Sequence, residues 1–124
     1  MLSTNAGKGI LPESHPLSLG GSIVRQPSQE ALADADVVLL VGSEVSAGDS
    51  FLPKLDIPGD IIRIDIDPSE LTSVYTAAVP IQADARAALL ALSAGLTSRK
   101  TAALRAEGER RVRETLARNA AMMT

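Results

Sequence analysis

Cysteine and tryptophan are missing from this chain, and phenylalanine, tyrosine and histidine occur once each. Without thiols there is no disulfide framework and no thiolate metal site, a composition that suits a reducing, cytoplasmic setting. Aromatics make up only 2% of residues and apolar residues 45%, so a core has to be built from Val, Ile, Leu and Ala. A parallel sheet buried beneath helices has this composition. No apolar run is long enough to span a bilayer and no signal peptide is evident, so no membrane partner is expected. The single histidine, His15, sits between Pro12 and Pro16 with no nucleophile elbow nearby, which argues against a Ser-His-Asp site.

What charge there is lies unevenly. From Ser98 onward the chain carries seven basic and three acidic residues, which leaves the preceding body at −7 against a net charge of −3. An acidic body argues against nucleic acid as a partner. The basic tail reads as a solvated helix face.

The 124 residues suit one small α/β domain. Residues 1–9 read as the remnant of a strand and its exit loop, and residues 10–28 as irregular connection rich in Pro, Gly and Ser. A short helix is expected to about Ala33, with Ser28 as its N-cap. Val37-Val38-Leu39-Leu40-Val41 is an unbroken apolar run, the mark of a central buried strand. Ile61 to Ile66 is a second strand stopped by Asp67-Pro68. Ala78 to Ile81 is a third, placed at an edge or a strand start by its proline. Asp84 caps a helix to about Ala94, with Gly95 as its stop. The tail from Ser98 to about Ala117 is helix-prone, with a thin apolar line of Leu104, Val112 and Leu116 interrupted by Gly108. Strands alternating with helices imply a parallel sheet.

Candidate chemistry is sparse. Gly7-Lys8-Gly9 fails the phosphate-loop pattern, because Leu2 stands where its first glycine belongs and Gly9 where its Ser or Thr belongs. The Gly42–Gly48 loop follows the best strand, where open α/β sheets bind ligands. Asp65 and Asp67, two residues apart, share a face of an extended chain. They read either as carboxylates for a ribose or hard cation, or as a solvated strand end and a turn starter.

The ordered segments resemble the central domain of thiamine-diphosphate-dependent enzymes, the acetolactate synthase and benzoylformate decarboxylase group. The resemblance rests on Thr4 with Gly7-Lys8-Gly9, Pro12-Glu13-x-His15-Pro16 and Leu19-Gly20. It continues through Ala31-Leu32-x-x-Ala35-Asp36-Val37-Val38-Leu39, Val41-Gly42, Asp65-Ile66-Asp67-Pro68 and Val79-Pro80-Ile81-x-x-Asp84, covering about residues 3–95. It implies a partial Rossmann-like parallel sheet flanked by helices. Residues 1–97 would be the later portion of that domain, and residues 98–124 a linker helix toward the cofactor-binding domain.

The same resemblance implies a non-catalytic scaffold portion of a 2-oxo-acid decarboxylase or carboligase. Thiamine diphosphate and Mg2+ would belong to the parent enzyme, with no catalytic or metal-ligating residue in this chain. The alternative is a stand-alone module binding ADP, FAD or CoA. In either case Gly20, Gly21, Ser43, Glu44, Asp65 and Asp67 are the positions matching the family's nucleotide contacts. FAD is disfavoured, because the loop after Leu19-Gly20 is short and Glu44 would face a diphosphate. A sirtuin-type deacylase is rejected, since it needs a sheet histidine and usually four cysteines. Self-association through an exposed sheet edge or the tail helix is expected, alongside the remaining domains of the parent.

Overall fold

A computed structural model describes residues 1–99 and 101–123. The elements are α1 (Gln26–Ala33), β1 (Val37–Val41), α2 (Ala47–Ser50), β2 (Asp60–Asp65), β3 (Val79–Gln82), α3 (Ala85–Leu96) and α4 (Ala102–Ala121). Two compact units contain them. One comprises Met1–Leu32, Val45–Asp56 and the segment from Thr101 onward; the other comprises Ala33–Glu44 and residues 57–99.

The second unit holds a three-stranded parallel sheet in the order β1-β2-β3, flanked by helix, as the Rossmann-like expectation required. Register is set by apolar partners: Leu39 pairs with Ile62 and that in turn with Val79, and Val41, Ile64 and Ile81 form the next row. Directly paired residues share a face, so these rows make one apolar layer. β2, paired on both sides, is the most deeply buried strand, with Ile61, Arg63 and Ile64 inside. Pro80 lies on β3, an edge strand, where its missing N–H costs no internal ladder bond. The chain enters β2 through Gly59 because nothing larger fits: a Cβ there would stand 2.3 Å from the Ala35 carbonyl oxygen and 2.7 Å from that of Asp36.

α3 begins where Asp84 accepts the Ala87 N–H at 3.0 Å. It does not stop at Gly95. That glycine stays out of the left-handed conformation that closes a helix, so the turn runs on to Leu96 and then into a 3₁₀ turn at Thr97–Arg99.

In the first unit, Ser28 is not an N-cap. α1 starts at Gln26, and Ser28 lies within its first turn, fully buried and bonded sideways. The Ser22 hydroxyl donates to the Leu19 carbonyl at 2.7 Å, so it is Ser28 that donates to Ser22, also at 2.7 Å. Ser28 thereby accepts the Asn119 amide N–H at 3.0 Å. This polar chain, with an ion pair between Arg118 and Glu30, seats α4 on α1.

The buried face of α4 is Val112, Thr115 and Asn119, whereas Leu104 and Leu116 are exposed. The expected apolar line is therefore replaced by a mostly polar one. Gly108 continues this face rather than interrupting it, since a Cβ there would stand 3.2 Å from the Leu17 side chain. On the solvent side Arg105 pairs with Glu109, and Glu107, Arg110, Arg111 and Glu114 form a ladder at helical spacing. Among the described residues no helix is long and apolar enough to cross a membrane.

Candidate functional site

Parallel strands bring all their carboxyl ends to one edge of a sheet, which makes that edge the natural ligand face of an open α/β fold. Here it gathers Gly42-Ser43-Glu44 after β1, Asp65-Ile66-Asp67 at the end of β2, and Ala83-Asp84 after β3. Gly42 turns the chain out of β1 with φ +59°, a left-handed angle that glycine takes without strain, and its N–H donates to the Ile64 carbonyl at 2.9 Å. Ser43 is half-buried and Glu44 exposed.

The acidic pair forms two successive turns. The Asp65 carboxylate accepts the Asp67 N–H at 2.9 Å. Asp67 in turn accepts the Ser69 N–H at 3.0 Å and its hydroxyl at 2.8 Å. The hydroxyl bond, reinforced by the backbone one, holds the Asp67 carboxyl below its ordinary range by favouring the ionised form.

Beneath these turns lies a residue that sequence reasoning missed. Arg63, at the middle of β2, is 1% exposed. Its guanidinium donates to the Ser43 carbonyl at 2.8 Å, the Ser73 hydroxyl at 2.8 Å and the Tyr75 carbonyl at 3.0 Å. The Glu70 carboxylate, 3.7 Å away, supplies the countercharge, and Ser73 donates onward to the Glu70 carbonyl at 2.9 Å. A buried cation persists only when its donors are matched, and arginine's fixed fork suits several carbonyls at once. The signal in the sequence was a charge between Ile62 and Ile64, in the apolar middle of a strand that is otherwise charged only at its two ends. Its acceptors, two of them backbone carbonyls, leave no trace in the sequence.

Gly20 and Gly21 belong to the other unit. Gly20 has φ +61° beside Glu13, and its N–H donates to the Ser18 hydroxyl at 3.1 Å. Gly21 lies under the Lys8 side chain, where a Cβ would stand 2.6 Å from Lys8 Cε. The Gly7-Lys8-Gly9 loop and the Gly20-Gly21 turn are thus neighbours. His15 uses its Nδ1 to accept the Leu17 N–H at 3.1 Å, a local loop bond. Among the described residues no three His, Asp or Glu side chains are grouped so as to hold a metal ion.

The family description "Thiamine pyrophosphate enzyme, central domain" matches residues 1–92. The chain belongs to this family. Among curated proteins it is similar to a decarboxylase, an acetolactate synthase subunit and an oxidase. It is 41% identical over 92 residues to a probable 2-ketoarginine decarboxylase of Pseudomonas aeruginosa, covering 74% of this chain and 16% of that protein. With a probable acetolactate synthase large subunit of Methanocaldococcus jannaschii it shares 38% over 101 residues, covering 76% and 16%. With a pyruvate oxidase of Lactiplantibacillus plantarum it shares 32% over 103 residues, covering 82% and 17%. The chain thus spans about a sixth of the length of these relatives. The stand-alone adenine-nucleotide module gains no support from them and is set aside.

Proposed function

We propose that this chain is a non-catalytic scaffold portion of a thiamine-diphosphate-dependent 2-oxo-acid decarboxylase or carboligase of the cytoplasm. Residues 1–97 serve as the later part of the central domain and residues 98–124 as the link toward the cofactor-binding domain. The match to the central-domain family over residues 1–92 carries this reading. The use made of polar groups at the strand ends supports it. Arg63, Asp65, Asp67 and Glu70 all engage groups within their own unit, which is the behaviour of a frame.

Thiamine diphosphate supplies an electron sink for the carbanion left by decarboxylation, and it needs partners for a diphosphate and a divalent cation. The Asp65, Asp67 and Asp84 carboxylates are turned to backbone N–H groups, which supports the reading that the diphosphate and its cation bind elsewhere. In this proposal the cofactor and Mg2+ are therefore held by other parts of the parent enzyme. Gly20, Gly21, Ser43, Glu44, Asp65 and Asp67 are the positions at which a nucleotide-type cofactor of the parent would approach this chain. FAD is not among the ligands, because the exposed Glu44 carboxylate would face its diphosphate. In isolation the chain self-associates through an exposed sheet edge or the tail helix.

Incubation of the purified chain with 2-oxo acids, thiamine diphosphate and Mg2+ is expected to release no CO2, and calorimetry with the cofactor or FAD to show no binding heat. Measurable turnover, or saturable cofactor binding, would overturn the scaffold reading.

A further inference from the structure

Little apolar surface fastens α4 to α1. Of the buried residues on α4 only Val112 is apolar; Thr115 and Asn119 complete the face, and the two helix backbones come close at few points. The fastening is polar. The Asn119 amide donates to Ser28, and Arg118 pairs with Glu30 at the rim, where the two side chains are 57% and 43% exposed. An ion pair that open to water holds weakly. Asn119 is 6% exposed, and among the described residues its Oδ1 has no hydrogen-bond partner. Docking therefore strips water from that oxygen without replacing it, a cost that lifting the helix removes.

What keeps α4 helical lies inside α4 itself. Thr101 caps it by accepting the Leu104 N–H at 3.1 Å. Arg105 with Glu109, Glu107 with Arg110 and Arg111, and Arg110 with Glu114 are pairs three or four residues apart on its own surface. None of these bonds is lost when the helix leaves α1. At 20 residues α4 also exceeds the roughly 12–15 below which an isolated helix is marginal. We propose that α4 is a hinged arm that lifts off α1 as an intact helix, breaking the bonds of Asn119 to Ser28 and Arg118 to Glu30 while its own stay closed. Thr101, whose backbone is extended (φ −126°, ψ 151°), is the pivot. The ladder ends at Glu114, so the turns around Asn119 fray once lifted while those before them hold. The path taken by residues after Thr101 is then a two-state property, set by whatever favours the docked or the lifted form. This inference stands apart from the scaffold reading, which turnover tests.

The chain has no cysteine, so one introduced thiol reports its own exposure. Val112→Cys places it on the buried face of α4, within the ladder; Thr115→Cys is the second reporter, and circular dichroism checks that each variant folds. Thiol labelling is compared, on the same protein, with exchange of the Glu109–Glu114 amides. Lifting bares the thiol and leaves these amides bonded, so the opening constant from labelling is expected to exceed that from amide exchange at least about tenfold. It is also expected to be nearly flat in dilute urea, since lifting exposes little surface. Arg118→Gln, added to either reporter, removes the ion pair and is expected to raise the labelling constant about two- to fivefold with the amides unchanged. Equal constants for thiol and amides, or labelling as steep in urea as global unfolding, would show that α4 leaves α1 only by unfolding and would overturn the arm.

Discussion

The guanidinium of Arg63 donates to the carbonyl oxygen of Ser43 at 2.8 Å, tying the middle strand of the sheet to the turn that leaves its neighbour. The same group holds Ser73 and the Tyr75 carbonyl, so one side chain fixes both the exit of β1 and the passage from β2 to β3.

Arg63→Lys is expected to lower the unfolding free energy by about 2–4 kcal/mol, because an ammonium on a flexible stem cannot reach acceptors in three directions. Urea denaturation followed by circular dichroism measures it. A loss below about 0.5 kcal/mol, the range of ordinary surface changes, would show that the tie is dispensable.

Two glycines should answer oppositely to one added methyl. Gly59→Ala drives a Cβ into the carbonyl oxygens of Ala35 and Asp36 and is expected to cost about 2–4 kcal/mol. Gly95→Ala adds a Cβ to open space within α3 and is expected to gain about 0.5–1 kcal/mol. Melting temperatures of the two variants, compared with the wild type, check the pair.

Ser28→Ala removes the acceptor of Asn119 and the donor to Ser22 at a fully buried point. The expected cost is about 1–3 kcal/mol, since both partners are left short of a bond away from water. Amide exchange of α4 near Asn119 should accelerate with it. Unchanged protection there would mean that α4 is held by other contacts.

Acid should weaken α4. Hydrogen bonds from Arg110 and Arg111 hold the Glu107 carboxyl at about 2, against an ordinary 4.5. A depressed carboxyl contributes its stabilisation above the unfolded value and loses it as pH falls through the folded one. Helical signal from α4 should therefore decline between pH 4.5 and about 2, and salt should shrink the effect because the group is fully exposed. Carbon-13 shifts of the Glu107 carboxyl against pH give the direct measurement.

The sheet was legible in the sequence because each strand announces itself by composition. Val37–Val41 and the Ile61–Ile64 run read as strands and Pro80 marked β3 as an edge, but β1, expected at the centre and buried, pairs with β2 alone in the described sheet and leaves Val37 and Leu39 exposed. Asp84 was legible as a cap because its side-chain bond is local. Ser28 misled for the same reason, since a serine before a helical run looks alike whether it caps that run or bonds Asn119, 91 residues away. On α4 apolarity is only a partial guide, since Val112 is buried as expected while Leu104 and Leu116 are exposed. The rest of its packed face is Thr115, Asn119 and Gly108, residues marked by small size or polarity that a search for apolar positions passes over. At the candidate site the Asp67-Pro68 turn was open to reading, whereas Arg63 drew its meaning from carbonyl groups that the sequence does not display.

The sheet is also unequal along its length. Its amino-terminal corner, with Val37 and Asp60, lies open to water, while Ile64 near the far end is 1% exposed beside the clamp. Thermal fraying should therefore have a direction, peeling the β1–β2 seam from Val37 toward Val41 and stalling where the guanidinium grips the turn. The half-open intermediate on that path would bare the first residues of two strands and keep their last ones shut.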